Sequence, residues 1–328
     1  MHEMYSYPFP EVRQTIASNL DPGFMLNTLP VSEAAGMIAT YNFQPPLELP
    51  ANGQNELDLD ELHTPVIERI RTVQTEHMPG LESFANTYPT HGSSQSMFTL
   101  LAEWKAKGKL SSIAVLDGEY EGYEAYANTL NIPVTRHESF EGVEPQEDQV
   151  WFISNPSAVD GNWIDKDAWK RFTEAGHSIV FDAAYVGLTP DGTVDVSSPN
   201  IKAVLTSPSK IFGVFRYRNT GVTYTREPVD SMYGTKWFKD IPALLDTLKL
   251  YETFGHKELV HQYRPRQERI CQALSELVGA TIVPSDVLLL GSTTKPLGDA
   301  YQRFARRNVH RFGLTKLFED FERYEAEV

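Results

Sequence analysis

Between residues 112 and 225 short apolar runs alternate with helical stretches, and this alternation constrains the fold more than any other feature of the chain. Residues 112–116 (SIAVL), a short run beginning at Val134, and residues 149–154 (QVWFIS), 177–181 (HSIVF), 201–205 (IKAVL) and 221–225 (GVTYT) read as strands. Residues 121–130 and 165–175 between them read as helices. Strands this short and this apolar must be buried on both faces, which predicts an α/β fold with a mainly parallel sheet flanked by helices. In such sheets the ligand lies beyond the carboxyl ends of the strands. The residues just after each run are therefore the candidates for chemistry.

The flanks are read by the same periodicities. Leu59, Leu62, Val66, Ile67, Ile70 and Val73 recur at helical spacing until Pro79-Gly80 stops them. Residues 1–57 are rich in Pro, Asn and Gly and read as irregular, with one helix near 32–40. From 240 to 277 helical periods dominate, with Pro265 expected to break or kink them. A strand at 287–290, a helix near 300–307, a β-like VHRFGL and a closing amphipathic helix complete a small α/β unit. The expected organisation is a large domain over 58–250 and a smaller one from the segments 1–57 and 251–328. A length of 328 residues suits that division.

Composition removes several functional classes. A net charge of −15 argues against a nucleic-acid partner, which needs a surface excess of Lys and Arg. No apolar run is long enough to span a membrane, and the N-terminus, with acids and prolines, does not read as a signal peptide. The lone cysteine, Cys271, excludes an intramolecular disulfide framework and, within a helical pattern, reads as a packing residue. A cytoplasmic location is expected, and no metal-ligand spacing is seen.

The strand ends carry a distinctive set. Gly118, Glu119 and Tyr120 follow the first strand, Asn155 and Pro156 follow QVWFIS, Asp182 to Tyr185 follow HSIVF, and Ser207, Ser209 and Lys210 follow the strand at 201–205. Upstream, His91-Gly92-Ser93-Ser94-Gln95 is a small turn running into an amphipathic helix. It reads either as an anion site at the helix N-terminus or as plain capping by Ser93 or Ser94. Lys210 is either a candidate imine-forming amine or an ordinary surface lysine. An acid, tyrosines, an amide and a lysine on one edge suit a cofactor with a protonated ring nitrogen, a phenolic oxygen, a phosphate and an aldehyde. Pyridoxal phosphate is such a cofactor.

Two motifs carry a family resemblance. FDAAY at 181–185 looks like a D-x-x-Y after a strand, and S-P-S-K at 207–210 is followed eight residues later by Arg218. G-S-S-Q at 92–95 and G-E-Y at 118–120 fit in the same order. Over roughly residues 58–225 the chain resembles the fold-type I pyridoxal-phosphate enzymes, specifically the class I/II aminotransferases. The resemblance implies that Lys210 forms the internal imine and acts as proton shuttle, Asp182 pairs with the pyridine nitrogen and Tyr185 bonds the phenolic oxygen. It implies further that Tyr120 stacks on the ring, and that Ser207, Arg218 and the backbone amides of Ser93 and Ser94 hold the phosphate. Arg216 is not at a family position and reads as a surface charge.

Departures accompany the likeness. The family stretch N-P-x-N-P-T-G is here Asn155-Pro156-Ser157-Ala158-Val159-Asp160-Gly161, so Ala158 falls where the second Asn would contact the phenolic oxygen. Either Asn155 takes over the contact or Tyr185 makes it alone. Arg311 looks like the family's arginine for the substrate α-carboxylate, with Arg306 and Arg307 competing. The implied function is a homodimeric aminotransferase with amino acid and keto acid substrates. The alternative is another reaction on the same cofactor: elimination, decarboxylation or oxidation.

Overall fold

A computed structural model describes residues 9, 11, 12, 15 and 59–321, apart from 215–219, 234–240, 256–257 and 319. The helix expected at 32–40, Arg216 and Arg218 lie outside the described residues.

Seven strands form the central sheet: β1 (Asn86–Thr90), β2 (Ser112–Leu116), β3 (Val134–His137), β4 (Gln149–Ser154), β5 (Ser178–Asp182), β6 (Ile201–Leu205) and β7 (Gly221–Thr225), in the spatial order β1-β7-β6-β5-β4-β2-β3. Strands β3, β2, β4, β5 and β6 run parallel, and β7 is antiparallel to both of its neighbours. The sheet is thus mainly parallel, as the alternation requires. Its side chains divide by the two-residue period of a strand: Trp151 and Ile153 enter one core, Val150 and Phe152 the other. Both faces are covered by helices, so the backbone polar groups are satisfied within the sheet while both side-chain rows are buried.

The helices are α1 (Leu59–Thr75), α2 (Ser93–Ala106), α3 (Glu121–Thr129), α4 (Lys166–Glu174), the one-turn α5 (Pro208–Ile211), α6 (Asp230–Tyr233), α7 (Ile241–Phe254) and α8 (Glu258–Val278). Asp165 starts α4 by accepting from the amides of Asp167 and Ala168 at 3.1 and 3.0 Å. Gln74 of α1 bridges Tyr251 of α7 (2.9 Å) and Tyr224 of β7 (2.8 Å), a buried polar trio that fixes α1 and α7 against the sheet edge. No described helix is long and apolar enough to cross a membrane.

Pro265 does not break the helical region; it lies inside a continuous α8, and the interruption falls at Gly255, whose φ of 55° no helix accommodates. Beyond α8 a second, antiparallel sheet has the order β10-β11-β9-β8, from β8 (Val283–Pro284), β9 (Leu290–Thr293), β10 (Ala305–Arg306) and β11 (Val309–Gly313). The apolar Val287-Leu288-Leu289 is buried loop instead of strand, and pairing starts only at Leu290. The helix expected near 300–307 is a 3-10 turn over Asp299–Phe304, ended by the extended pairing of β10.

Glu103 ties α6 to α2. Its carboxylate accepts from the amides of Asp230 (3.0 Å) and Ser231 (2.6 Å), from the Ser231 hydroxyl, and from Lys107 Nζ (2.5 Å). Burial alone would raise its pKa, but the bonds from Lys107, Ser231 and Asp230 override it and hold the group at about 2. A depressed pKa contributes stability that is present above the unfolded value and is lost as pH falls toward the folded one. Glu103→Gln is therefore expected to cost about 2–3 kcal/mol at pH 7 and little near pH 2, read from denaturant unfolding at both.

Candidate active site

The carboxyl ends of β2, β4, β5 and β6 open onto a cavity of about 380 Å³, a volume suited to a small-molecule ligand. It sits at the switch point of the sheet, where the chain has placed β3 on one side of β2 and then returns to lay β4 on the other. The facing wall comes from the second sheet, through Leu290, Arg311 and Gly313, and from Leu289 of the loop before β9.

Asp182 closes β5 and is 6% exposed. Its Oδ2 accepts from Tyr123 Oη at 3.0 Å and its Oδ1 from the amide of Ala184 at 3.1 Å. Burial raises its pKa, against the charge of Lys210 and the bonds from Tyr123 and Ala184. A buried carboxylate held in this way favours a cationic partner in the cavity.

Lys210 ends up beside it because of local turn chemistry. After β6, Ser207 caps α5, accepting from the amide of Ser209 at 3.3 Å, and Pro208 takes the first helical position, where no N–H is needed. The turn carries the lysine amine to 4.8 Å from the ring centre of Tyr185 and 5.9 Å from that of Tyr120. Lys210 is thus no surface lysine: it lines the cavity, with aromatic faces around its charge. Tyr120 crosses Tyr123 edge to face at 5.4 Å and bonds Ser94, and burial pushes its hydroxyl up to about 12.

The start of α2 forms a cradle next to this amine. Gly92 is the N-cap, with φ 81° and no described side chain capping it, so neither Ser93 nor Ser94 serves as the cap. Both serines line the cavity instead, and the first-turn amides with the helix dipole make an anion site there. Ser207 packs against the same turn: a Cβ on Gly92 would lie 3.5 Å from its Oγ. A Cβ on Gly221, at the head of β7, would lie 2.8 Å from Gly92 Cα and overlap the Thr206 carbonyl. Gly221→Ala is accordingly expected to cost about 1–3 kcal/mol by forcing β7 and α2 apart, measured as a fall in thermal stability.

Two other residues singled out by motif lie differently. Asn155, at a cis peptide bond with Pro156, accepts from the amide of Ile164 at 2.9 Å and holds the following loop; it does not line the cavity, whereas Ala158 does. Arg311 lines it, and its guanidinium donates to the Ala158 carbonyl, fastening the second sheet to the β4 loop. Of the rivals to Arg311, Arg306 pairs with Glu121 at 3.6 Å. Sequence reasoning named Glu119 without a role and did not single out Tyr123 or Ser154. Tyr123 follows Tyr120 by three residues, a spacing that puts both on one side of a helix, and was legible on that ground.

No family model and no curated protein matches this chain. Solved structures do match its fold. It is similar to an aminotransferase from Staphylococcus aureus, at 13% identity and a TM-score of 0.58 over 89% of each chain. It is similar to a putative PLP-dependent β-cystathionase from Corynebacterium diphtheriae, at 13% identity and 0.61 over 96% of this chain and 88% of that one. A third is L-threonine-O-3-phosphate decarboxylase from Porphyromonas gingivalis, at 13% identity and 0.56 over 83% and 97%. The chain has the fold of fold-type I pyridoxal-phosphate enzymes.

Proposed function

We propose that the protein binds pyridoxal phosphate at this cavity and acts on an amino acid, transferring its amino group to a keto acid. The observation that carries the reading is the placement of Lys210, its amine against the Tyr185 ring and its charge felt by the buried Asp182 in the same cavity. The other residues suit that group. The glycine-walled start of α2 with Ser207 would hold a phosphate, and Asp182, braced by Tyr123, would hold the proton on a ring nitrogen. When bound, the cofactor supplies an aldehyde for covalent capture of amines and an electron-withdrawing ring.

The chain's own residues then have separate tasks. Lys210 would hold the cofactor covalently and, once displaced by substrate, take and return the proton at the substrate Cα. Tyr185 and Tyr120 line the walls beside the amine, and Arg311 would clamp a carboxylate from the second sheet with the part of its guanidinium not bonded to Ala158.

A second reading, elimination or decarboxylation on the same cofactor, is favoured by one observation: the wall has Ala158 and not an amide side chain, and Asn155 faces its own loop. Absorption spectra of the purified protein with a panel of amino acids separate the two. Bleaching of the visible band that a keto acid reverses supports transamination. Release of ammonia or carbon dioxide without an amine form of the cofactor supports the second reading. A protein that takes up no cofactor would exclude both.

A further inference from the structure

Glu119 has no part in the tasks above, yet it is 7% exposed and lies directly behind the cavity wall. Both of its carboxyl oxygens are within hydrogen-bond distance of Ser154 Oγ, at 3.0 and 2.8 Å, and Oε2 accepts from the amide of Tyr120 at 3.3 Å. Ser154, at the end of β4, accepts from the amide of Ala158 at 2.7 Å and itself lines the cavity. A hydroxyl has one hydrogen and two acceptor sites. The Ala158 amide takes one of those sites, so the state of Glu119 decides where the hydrogen goes. Ionised, Glu119 draws the Ser154 hydrogen toward itself, away from the cavity. Neutral, it donates its own proton to the second site and leaves the Ser154 hydrogen for an acceptor in the cavity.

The surroundings favour the neutral form. Asp182 of β5 faces Glu119 with like charge, Tyr123 of α3 and Tyr120 on the same turn add only phenols, and no cation among the described residues pairs with it. Of the nearby cations, Lys210 acts by its charge on Asp182, Arg311 donates to the Ala158 carbonyl and Arg306 pairs with Glu121, while Arg307, whose backbone packs against Gly118, makes no ion pair with Glu119. Burial, with the Asp182 charge adding to it, raises its pKa to about 7 against the bonds from Ser154 and Tyr120.

We infer that Glu119 is a positioning residue whose neutral carboxyl turns the Ser154 hydroxyl into a hydrogen-bond donor toward an oxygen of the bound molecule. The inference rests on the proposed function for the identity of that oxygen, the phenolic oxygen of pyridoxal phosphate, but not for the state of the acid. Ala158 offers no side-chain donor beside it, and Asn155 and Ser157 do not line the cavity, which leaves Ser154 as the donor that this segment presents to it.

Two measurements test it. In infrared difference spectra of the full chain without cofactor at pH 6, the carbonyl stretch of a neutral carboxylic acid is expected in the wild type and lost in Glu119→Gln. Its absence from the difference overturns the inference. Pyridoxal phosphate affinity is then followed from pH 5.5 to 8.5. A glutamine amide donates to Ser154 at every pH, so the wild type should match Glu119→Gln at low pH and bind about tenfold more weakly at high pH. Ser154→Ala should bind about tenfold more weakly than Glu119→Gln throughout. A wild-type to Glu119→Gln ratio that stays flat with pH, or a Ser154→Ala protein that binds like Glu119→Gln, also overturns it. These outcomes leave the proposed function standing; that reading fails separately, if the wild type takes up no pyridoxal phosphate at any pH.

Discussion

Lys210→Ala is expected to abolish the visible absorption band of the protein loaded with pyridoxal phosphate and to lower turnover by about 10³–10⁴-fold or more. Two contributions are lost together, the covalent hold on the cofactor and the positioned amine that moves the proton at Cα. The fold should survive, because the lysine lines a cavity and its amine touches ring faces without bridging elements of the core. Thermal melts of the variant without cofactor should therefore stay cooperative and fall only a little below the wild type, because buried Asp182 loses the opposing charge of Lys210. Stopped-flow spectra with an amino acid present make the comparison. A variant that keeps both band and turnover would remove Lys210 from the chemistry.

Asp182→Asn should move activity and stability in opposite directions. A neutral amide cannot hold the proton of a ring nitrogen by charge, and the expected loss of turnover is about 10²–10³-fold. Without cofactor the sign reverses. The folded pKa of Asp182 is raised by burial, so its ionised form weighs against the fold. The stability it contributes is present below the ordinary aspartate pKa and lost as pH rises through the raised value. At pH 7 Asp182→Asn should thus melt higher than the wild type in the absence of cofactor, and the gap should close when pyridoxal phosphate is added. Calorimetry of both proteins, with and without it, checks the prediction. A variant that melts lower than the wild type without cofactor would show that the carboxylate stabilises the empty cavity.

Where the sequence was legible, one strong period governed a segment. The runs at 112–116, 149–154, 201–205 and 221–225 are strands with those bounds, because apolar residues buried on both faces leave no other economical arrangement. That Asp182, Tyr185, Ser207 and Lys210 would line one cavity was legible for a related reason: strand ends in a parallel sheet converge on one edge. Strand β1 was missed. Its sequence NTYPT holds a proline and little apolar surface, and it pairs only as an edge strand, where Pro89 is tolerated. Nor did residue pattern distinguish the antiparallel direction of β7, since GVTYT reads alike either way. Val287–Leu290 was read as a strand because burial was mistaken for pairing; only Leu290 pairs, and Val287 to Leu289 are buried by tertiary packing. The side chain of Asn155 was decided by the loop amide of Ile164, a contact that no local motif encodes.

The pairing of β1 with β7 has a consequence for how the protein comes into being. Asn86 meets Thr225, and Gly92 meets Gly221, so the anion cradle joins two points far apart along the chain. Closing so long a loop costs entropy before any contact rewards it, which makes such pairings late events in folding. A nascent chain that has emerged only as far as α5 already carries Ser93, Asp182 and Lys210, but lacks β7, the strand that brings the cradle together. On the proposed function, cofactor capture would come only at the end of assembly, and a growing chain would pass through a stage in which Lys210 has no completed cradle beside it.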